Sequence, residues 1–583
     1  MCKIKKCPTV ILAMAATILT STLTASKVSA STLAYTGRLW GADRYETSAK
    51  IAKSAWESSE YAIVASGEGY ADALCAAPLA KIKNAPILLT NKNELNRHTL
   101  TELRRLKVKN VYIVGGEASI SKEVENNIKY LTGAETERLS GKDRYETSVK
   151  IAEKLPQTNK IILTSGEGYA DALSAAPVAA IKAIPIILTK SNELPTVTRN
   201  YIDDSKITSA YVIGGQASVS DTVKNSVSNA QRIYGQDRFE TNAEVIRAFA
   251  LDFEFNNAYV ALASGSTGKE FADALSGSAL AGKKSAPVIL TGKKLNGATK
   301  KIVDEMLFPT SNITVLGGNN NVSDELIDSM RVNVSEYFGT KNEVYTKNVQ
   351  GNAVITDKNI TLQDMKIEGN LYVQGKDSKL SNVNVTGTIY IDHGRDGECV
   401  LDKVDAKNIV VLSGEPDKDS VQLKNVYANN LNVLSNSIVR IVSQGTTEIK
   451  NTEVASNAII ENRGGNFGNI KIPKSPKYKD IEFKGTFLDP IIVEGQAEIK
   501  APNAGNIPRI KVRTDKNEEI LFDGKFNVIE VYTETDIKIT RESTATVRAE
   551  SSEAKVGAKV SVPLKANVSI EGLRKNNITR YDN

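Results

Sequence analysis

The first half of the chain alternates short apolar runs with stretches of helical spacing. In residues 36–132 the apolar runs fall at 61–65, 86–90 and 111–114, and helical spacing covers 43–56, 71–83 and 95–106. Short continuous apolar strands separated by helices are typical of a parallel sheet that is covered on both faces. The pattern therefore predicts a small open α/β module.

This pattern occurs three times in tandem. Each copy opens on an Arg-[Leu/Ile]-x-Gly-x-Asp-Arg-[Tyr/Phe]-Glu-Thr motif, at 38–47, 138–147 and 232–241. Each then has Ser-Gly before Ala-Asp-Ala-Leu, a Pro-led apolar run that ends in Thr, and a Gly-Gly pair. A period of about one hundred residues is longer than a solenoid rung and close to a small domain. We predict repeats at 36–132, 136–229 and 230–338.

After about residue 340 a shorter period appears. Leucines lead successive segments at 362, 380, 401 and 423, in steps of 18, 21 and 22 residues, with polar corners such as Asn382 and Asn425 between short alternating strands. Rungs of this length predict a parallel β-helix over 340–583, with a β-sandwich as the alternative. The similar Phe-x-Gly-x-Phe stretches at 483–487 and 522–526 predict that the solenoid continues past Pro473.

The N-terminus has the composition of an export signal. Lys3, Lys5 and Lys6 precede an apolar stretch, and Val28-Ser29-Ala30 forms a small-residue cleavage site, which predicts a signal peptide over residues 1–30 rather than a membrane anchor. Its removal takes four lysines away and lowers the formal charge from +6 to +2, so nucleic acid is not an implied partner. We expect a secreted chain that holds the cell surface through a domain.

The motif at the start of each copy places an acid beside a base, which suggests catalysis. Asp43 followed three residues later by Glu46 also fits a capping box at a helix N-terminus, and we favour this interpretation. Arg44, Arg144 and Arg238 recur in the same motif, and they either pair with that box or face a ligand.

The Ser-Gly stretch follows a strand and superficially resembles a dinucleotide fingerprint. Asp72 and Asp171 stand where the third glycine would be, the third copy has an insertion, and Gly265–Glu270 lacks the spacing of a P-loop. A crevice of strand ends and helix N-termini remains, suited to an anionic or hydroxyl-rich ligand. Its candidate residues are Ser66, Ser165, Ser264, Gly115, Gly116, Gly214, Gly215, Gly317 and Gly318.

The motifs together resemble the type 2 cell-wall-binding repeats of clostridial surface proteins over about three hundred residues. The resemblance implies a pseudo-threefold arrangement of the modules and non-covalent binding to an anionic polysaccharide of the Gram-positive wall. The family's Ile-Leu-Leu motif, associated with anchoring, corresponds to Ile87, Leu88 and Leu89, to Ile186, Ile187 and Leu188, and to Val288, Ile289 and Leu290. An apolar strand more often forms core, and we expect nearby loops to make the contact.

Few residues support catalysis. After the signal, His98 and His393 are the histidines and lie in different halves, which rules out the zinc clusters of wall amidases. Cys75 and Cys399 also lie in different halves, so a disulfide framework is excluded. A Cys399/His393 pair has no orienting partner, and the loop 392–398 is best interpreted as a solvated turn.

The sequence therefore predicts a binding protein without a metal or cofactor. We expect the repeats to anchor the chain and the β-helix to be displayed as an adhesin, binding or surface-layer-associated module. Surface-layer proteins and host surface ligands are its candidate partners. A polysaccharide lyase or hydrolase carried on the β-helix is the alternative.

Overall fold

A computed structural model describes residues 36–264, 271–474, 478–502, 507–514 and 518–582. The predicted signal peptide and the stretch Gly265–Glu270 lie outside these residues. Among the helices of the described ranges, none has the length and apolar character needed to cross a bilayer. The described chain forms three parallel four-stranded sheets and one long sheet of parallel strands.

Helices and strands alternate through the three repeats, which confirms the predicted α/β modules. The first copy contains β1 Thr36–Leu39, α1 Arg44–Ala55, β2 Tyr61–Ser66, α2 Ala77–Ile82, β3 Ile87–Thr90, α3 Arg97–Arg105, β4 Asn110–Val114 and α4 Lys122–Thr132. The second contains β5 Glu135–Leu139, α5 Arg144–Ala152, β6 Lys160–Ser165, α6 Ala170–Lys182, β7 Ile186–Thr189, α7 Thr196–Asp204, β8 Ser209–Ile213 and α8 Asp221–Lys224. The third contains β9 Ala230–Ile233, α9 Arg238–Ala248, β10 Asn257–Leu262, α10 Ala272–Lys283, β11 Val288–Thr291, α11 Gly297–Met306, β12 Asn312–Leu316 and α12 Asp324–Met330.

The first strand of each repeat belongs to the sheet of another repeat. The sheet orders are β3-β2-β4-β5, β7-β6-β8-β9 and β11-β10-β12-β1. Thus β5 completes the sheet of the first repeat, β9 that of the second, and β1 pairs in parallel with β12 of the third. The three repeats are therefore closed into a ring by the N-terminal strand, an exchange that the repeat pattern did not reveal.

Three helices meet at the centre of this ring. α2, α6 and α10 each contact the other two, and their facing sides carry small residues. A Cβ atom built on Gly282 would lie 2.6 Å from the Cβ of Ala180, which is closer than non-bonded carbon atoms approach. One continuous apolar cluster includes buried side chains from all three repeats. The ring is therefore one packed body and not a string of separate domains.

The second half is a solenoid of parallel strands, and it begins before the predicted residue 340. Its strands are β13 Glu336–Phe338, β14 Val344–Tyr345, β15 Val349–Gln350, β16 Ala353–Ile355, β17 Thr361–Glu368, β18 Leu371–Val373, β19 Ser378–Ile391, β20 Cys399–Val411, β21 Val421–Lys424, β22 Tyr427–Val433, β23 Val439–Gln444, β24 Glu448–Val454, β25 Ala458–Asn462, β26 Asn469–Ile472, β27 Lys479–Gly485, β28 Ile491–Val493, β29 Ala497–Ala501, β30 Ile510–Val512, β31 Glu519–Val531, β32 Asp536–Ile539, β33 Thr544–Ala549, β34 Lys559–Pro563, β35 Asn567–Glu571 and β36 Ile578–Tyr581. A short helix, α13 Ser552–Gly557, lies near its end.

The register of the strands confirms the predicted rungs. Leu362 is aligned with Leu380, Leu380 with Leu401, and Leu401 with Leu423, and all four side chains are fully buried. The corner residues Asn382 and Asn425 both adopt φ of 54°, in the left-handed region that asparagine tolerates better than most residues. The same stacking continues past Pro473, as predicted.

An aromatic contact joins the two halves. The rings of Phe308 and Tyr372 meet edge to face at 6.0 Å, and Tyr372 stacks on Tyr390 at 5.0 Å. The hydroxyl of Thr310 donates to Oε1 of Gln374 at 2.7 Å. Beside these contacts, a cleft of about 1130 Å³ separates the solenoid from the second and third repeats. The solenoid is thus docked on the ring through a limited surface.

A lysine inside the solenoid makes its stability depend on pH. Lys479 is 1% exposed, and its ammonium donates to the carbonyl oxygen of Pro473 at 2.6 Å. Burial lowers the pKa of Lys479 from 10.5 to about 8. Between these two pH values the unfolded chain keeps a proton on this lysine that the folded chain has released. The free energy of unfolding therefore increases as the pH rises, and the folded state becomes more stable.

We expect the increase in the free energy of unfolding that comes from Lys479 to reach about 3 kcal/mol by pH 10.5. Urea unfolding of the wild type and of Lys479→Met at pH 7 to 10 measures it, because the other lysines titrate equally in both proteins. As the pH rises, the free energy of unfolding of the wild type should increase relative to that of Lys479→Met. A constant difference across this range would contradict a lowered pKa at Lys479.

Candidate functional site

The repeated motif begins a helix in every copy, which confirms the capping box. Oδ1 of Asp43 accepts from the backbone N–H of Glu46 at 2.8 Å, and Oε2 of Glu46 accepts from the N–H of Ala42 at 2.6 Å. Asp143 and Asp237 cap α5 and α9 in the same way. A Cβ atom on Gly41 would lie 2.4 Å from that of Glu46, so the motif requires glycine there. The acid pair is thus structural.

The motif's second arginine leaves this box and reaches the neighbouring repeat. Nη1 of Arg44 donates to the carbonyl oxygen of Gly67 at 2.6 Å, and its guanidinium lies 5.9 Å from the ring centre of Phe271 in the third repeat. Arg144 contacts Gly166 and the ring of Tyr70, and Arg238 contacts Ala263 and the ring of Tyr169. Within the described chain none of the three arginines forms an ion pair with a carboxylate.

These arginines surround a cluster of three aromatic rings. Tyr70 lies 5.4 Å from both Tyr169 and Phe271, and the latter two are 6.0 Å apart. Each ring comes from a different repeat and precedes the same Ala-Asp-Ala-Leu stretch. The sequence analysis missed the cluster, although an aromatic residue at the same position in every copy was the available signal.

A partly buried carboxylate supports each Gly-Gly turn. Oδ2 of Asp72 accepts from the hydroxyl of Ser119 at 2.7 Å, and a Cβ on Gly115 would lie 2.7 Å from that oxygen. Gly115 also has φ of 107°, which favours glycine. Asp171 and Asp273 take the same place below Gly214 and Gly317. Burial raises the pKa of Asp171 and of Asp273, against smaller lowering contributions from hydrogen bonds and from Arg238 and Arg44.

The motif's first arginine clamps the same turn from the next repeat. Nη1 of Arg38 donates to the carbonyl oxygen of Gly317 at 2.9 Å, and its Nη2 pairs with Asp324 at 2.7 Å. Arg138 and Arg232 bind Gly115 and Gly214 in the same way. The second glycines of the turns, Gly116, Gly215 and Gly318, have backbone N–H groups that donate to no described residue. Each turn therefore presents one N–H donor without a described acceptor, beside the arginine that binds the turn.

The predicted serines lie at the strand ends and organise their own loops. The hydroxyls of Ser66 and Ser165 accept from the N–H groups of Glu68 and Glu167 at 3.2 and 3.1 Å. Both serines are buried, and Ser264 is partly buried near Gly292 of the same repeat. Their hydroxyls are therefore placed to shape the crevice.

The Ile-Leu-Leu runs form the edge strands β3, β7 and β11, and all nine side chains are at most 2% exposed. Their backbone groups are occupied as well. The N–H of Leu188 donates to Ser148, and its carbonyl accepts from Thr198 at 3.1 Å. A polymer on the surface of this conformation would not touch these side chains, so their contribution to binding would be to hold the strand ends in place.

A crevice of about 700 Å³ lies where the third repeat meets the first. It is lined by Arg38, Trp40, Arg44, Asp273, Lys293, Gly318, Asn320 and other residues. Trp40 packs on Gly318, and its counterpart Tyr234 packs on Gly215 of the second repeat. The contacts of the arginines and turns recur at the other two junctions, so the ring has three junctions of the same design.

The residues considered for catalysis are buried in the solenoid. His393 is 2% exposed, and its Nε2 lies 3.2 Å from the carbonyl oxygen of Ser420. Burial raises the pKa of Cys399 to about 12. A buried thiol with this pKa is a poor nucleophile at neutral pH. Within the described residues, no cluster of histidine, cysteine and acidic side chains is arranged to hold a metal ion.

Comparison with known proteins covers the ring. Residues 38–125, 138–224 and 232–327 match the family model for cell wall binding domain 2. N-acetylmuramoyl-L-alanine amidase LytC of Bacillus subtilis (strain 168) is 35% identical over 295 residues, which cover 50% of this chain and 58% of the relative. The amidase enhancer of the same organism is 34% identical over 308 residues, covering 52% and 41%.

The chain thus spans about half the length of the curated relatives that it matches. Among solved structures, Cwp6 from Clostridium difficile is similar with 29% identity and a TM-score of 0.48, covering 55% of this chain and 51% of that one. The matched residues contain the capping box, both motif arginines and the Gly-Gly turns in every copy. Residues 38–125, 138–224 and 232–327 of this chain thus form three tandem repeats that match the cell wall binding domain 2 family.

Proposed function

We propose that the ring anchors this chain non-covalently to an anionic polysaccharide in the wall of a Gram-positive bacterium. In this proposal the chain is secreted, and the solenoid is displayed at the cell surface as an adhesin, binding or surface-layer-associated module. The observation that carries the proposal is that Arg44, Arg144 and Arg238 are fixed in position without an ion-pair partner among the described residues. All three are held in position by a carbonyl and an aromatic ring, and none is paired with a carboxylate in the described chain.

The surroundings of these arginines favour an anionic ligand. In the crevice between the third and first repeats, Asp273 lies below Gly317, and its Oδ2 accepts from Nδ2 of Asn321 at 3.2 Å rather than from Arg44. Asp324 in the same crevice is already paired with Arg38. The free N–H groups of the Gly-Gly turns add oriented donors, as in other anion-binding concavities. Guanidinium and N–H groups together suit carboxylate or phosphate substituents of a polymer.

Three sites on one rigid body explain how a polymer could hold the protein firmly. Each site alone is small and largely solvated, which implies weak binding. A polymer that engages two or three crevices converts the later contacts into intramolecular ones, and its overall affinity rises by orders of magnitude. The solenoid would then be held at the surface without a covalent bond.

Substitution of the three arginines tests the proposal. We expect Arg44→Gln, Arg144→Gln and Arg238→Gln each to weaken retention of the full chain on purified Gram-positive walls by roughly 3- to 10-fold. The triple variant should be released at the lowest salt concentration. Co-sedimentation with walls at rising salt measures this, and a panel of species supplies the walls because the polymer differs among them.

Two controls accompany this experiment. Lys301→Gln removes one positive charge from α11, where the side chain is 70% exposed and outside the crevice. Arg→Lys variants at the three positions keep the charge while losing the planar fork. Equal retention of wild type and triple variant, or equal binding to walls stripped of their anionic polymer, would overturn the proposal.

A further inference from the structure

Exposed aromatic rings mark two of the three junctions between repeats. In the described part of the ring, the large apolar side chains that stand out into solvent are Trp40, Ile82, Tyr130 and Tyr234. Trp40 is 50% exposed and Tyr234 is 54% exposed. Both occupy the third position of the repeated motif, where the second repeat has Ser140. The third repeat therefore has an exposed aromatic ring at both of its junctions, Trp40 toward the first repeat and Tyr234 toward the second. The junction between the first and second repeats has Ser140 instead.

Each ring rests on a Gly-Gly turn of the preceding repeat. A Cβ atom on Gly318 would lie 3.8 Å from Cε3 of Trp40, and one on Gly215 would lie 3.6 Å from Cδ2 of Tyr234. The equivalent Gly116, opposite Ser140, has no atom within 4 Å of its Cβ position. The two rings therefore lie against the turns at ordinary contact distance, and about half of each side chain stays open to a ligand.

The groups beside Trp40 favour a charged sugar over a purely apolar ligand. Nζ of Lys50 lies 5.5 Å from the centre of the indole ring, although it also pairs with Glu46 at 3.3 Å. Lys293 and Asn320 line the same crevice. An aromatic face beside cations and amides matches a ring that has one apolar C–H face, hydroxyl groups at its edge and an anionic substituent.

We propose that Trp40 and Tyr234 are stacking platforms for pyranose rings of the wall polysaccharide, and that the crevice at Ser140 contributes charge without stacking. This inference rests on the proposed wall-anchoring function. The three junctions are then unequal. Two of them stack an aromatic ring on a sugar ring, and the third attracts the polymer through the charge of Arg144. The polymer is then positioned by the two junctions of the third repeat.

Truncation of the rings measures their contribution in the full chain. On walls that retain the wild type, we expect Trp40→Ala and Tyr234→Ala each to weaken retention by about 3- to 10-fold and the double variant by about 10- to 100-fold. Tyr130→Ala is the matched control, because Tyr130 is 88% exposed on the same body but does not line the crevice at Trp40. Ser140→Ala is the control in the third crevice. Both should bind like the wild type.

Fluorescence provides a second readout, which reports directly on the surroundings of Trp40. The chain has two tryptophans, and Trp56 is 3% exposed, so acrylamide quenching reports mainly on Trp40. Soluble polysaccharide released from the retaining walls should protect Trp40 from acrylamide in the wild type and in Tyr234→Ala. Trp40→Phe should keep most of the retention, since it keeps a ring.

The two proposals fail in different ways. If the wild type sediments with no wall, the anchoring function fails. If the wild type is retained but the double variant is retained equally, and quenching of Trp40 is unchanged by the polysaccharide, anchoring stands and the stacking platforms are wrong. A loss in Tyr130→Ala equal to that in Trp40→Ala would also overturn them, because the effect would then belong to any exposed ring.

Discussion

Deletion of residues 136–229 is expected to abolish retention on the wall, far beyond the loss of one binding site in three. The deletion joins β9 to the first repeat, where β9 can take the place of β5, so the first sheet keeps four strands. However, α6 is removed from the centre of the ring, and α2 and α10 lose the helix that packs against both. Their apolar faces then become exposed, and β1 can no longer reach β12 in a closed ring.

Release from purified walls at rising salt, together with gel filtration, measures this loss. Independent sites would predict a different result, because loss of one of three weak sites lowers avidity by roughly 10- to 100-fold and leaves binding detectable. Arg144→Gln is the matched control, since it impairs the same crevice without removing a helix. Retention that falls only in proportion to the number of repeats would rule out the single-body ring.

Leu401→Asp is expected to unfold the solenoid and to leave wall retention intact. Leu401 is fully buried between the aligned Leu380 and Leu423, so the substitution removes apolar packing and places a carboxylate where no partner exists among the described neighbours. We expect a loss of at least about 4 kcal/mol in the stability of the solenoid. The ring should persist because its apolar cluster is separate from that of the solenoid. The solenoid contributes only a few side chains, such as Tyr372, to the cluster of the ring.

Limited proteolysis and co-sedimentation with walls measure the two parts of this expectation. The variant should yield a resistant fragment that ends near residue 340 and still sediments with walls. Val400→Asp is the control, because Val400 precedes Leu401 on the same strand and faces outward, partly exposed. If Leu401→Asp abolished retention, the solenoid would have to take part in anchoring or in the folding of the ring.

Some features of this fold were predictable because they depend on residues close together in the chain. Asp43 and Glu46 are three residues apart, and their capping box needs only a helix start. The leucine steps from 362 to 423 are local periods, and burial of each rung against the next follows from them. The α/β alternation of the repeats is likewise a local pattern.

Other features depend on which repeat lies beside which, and a repeated sequence cannot show that. The pairing of β1 with β12 joins segments that are nearly three hundred residues apart, and a strand of four residues has too weak a pattern to be recognised. The contact of Arg44 with Phe271, and of Arg38 with Gly317, arises only when the ring is closed. From the sequence, Arg44, Arg144 and Arg238 could be assigned either to the capping box or to a ligand, and neither assignment includes the ring of the neighbouring repeat that each contacts.

Local patterns were enough to define the modules, the solenoid and the family, because strand and helix periods, caps and motifs involve neighbouring residues and occur three times. The places where ligands can bind followed instead from the packing of the repeats. Ile87–Thr90 is an apolar run in sequence and an enclosed edge strand in the fold, whereas Trp40 is one variable residue in sequence and a half-exposed ring at a junction. Exposure depends on the neighbours that closure of the ring supplies, and those neighbours come from another repeat.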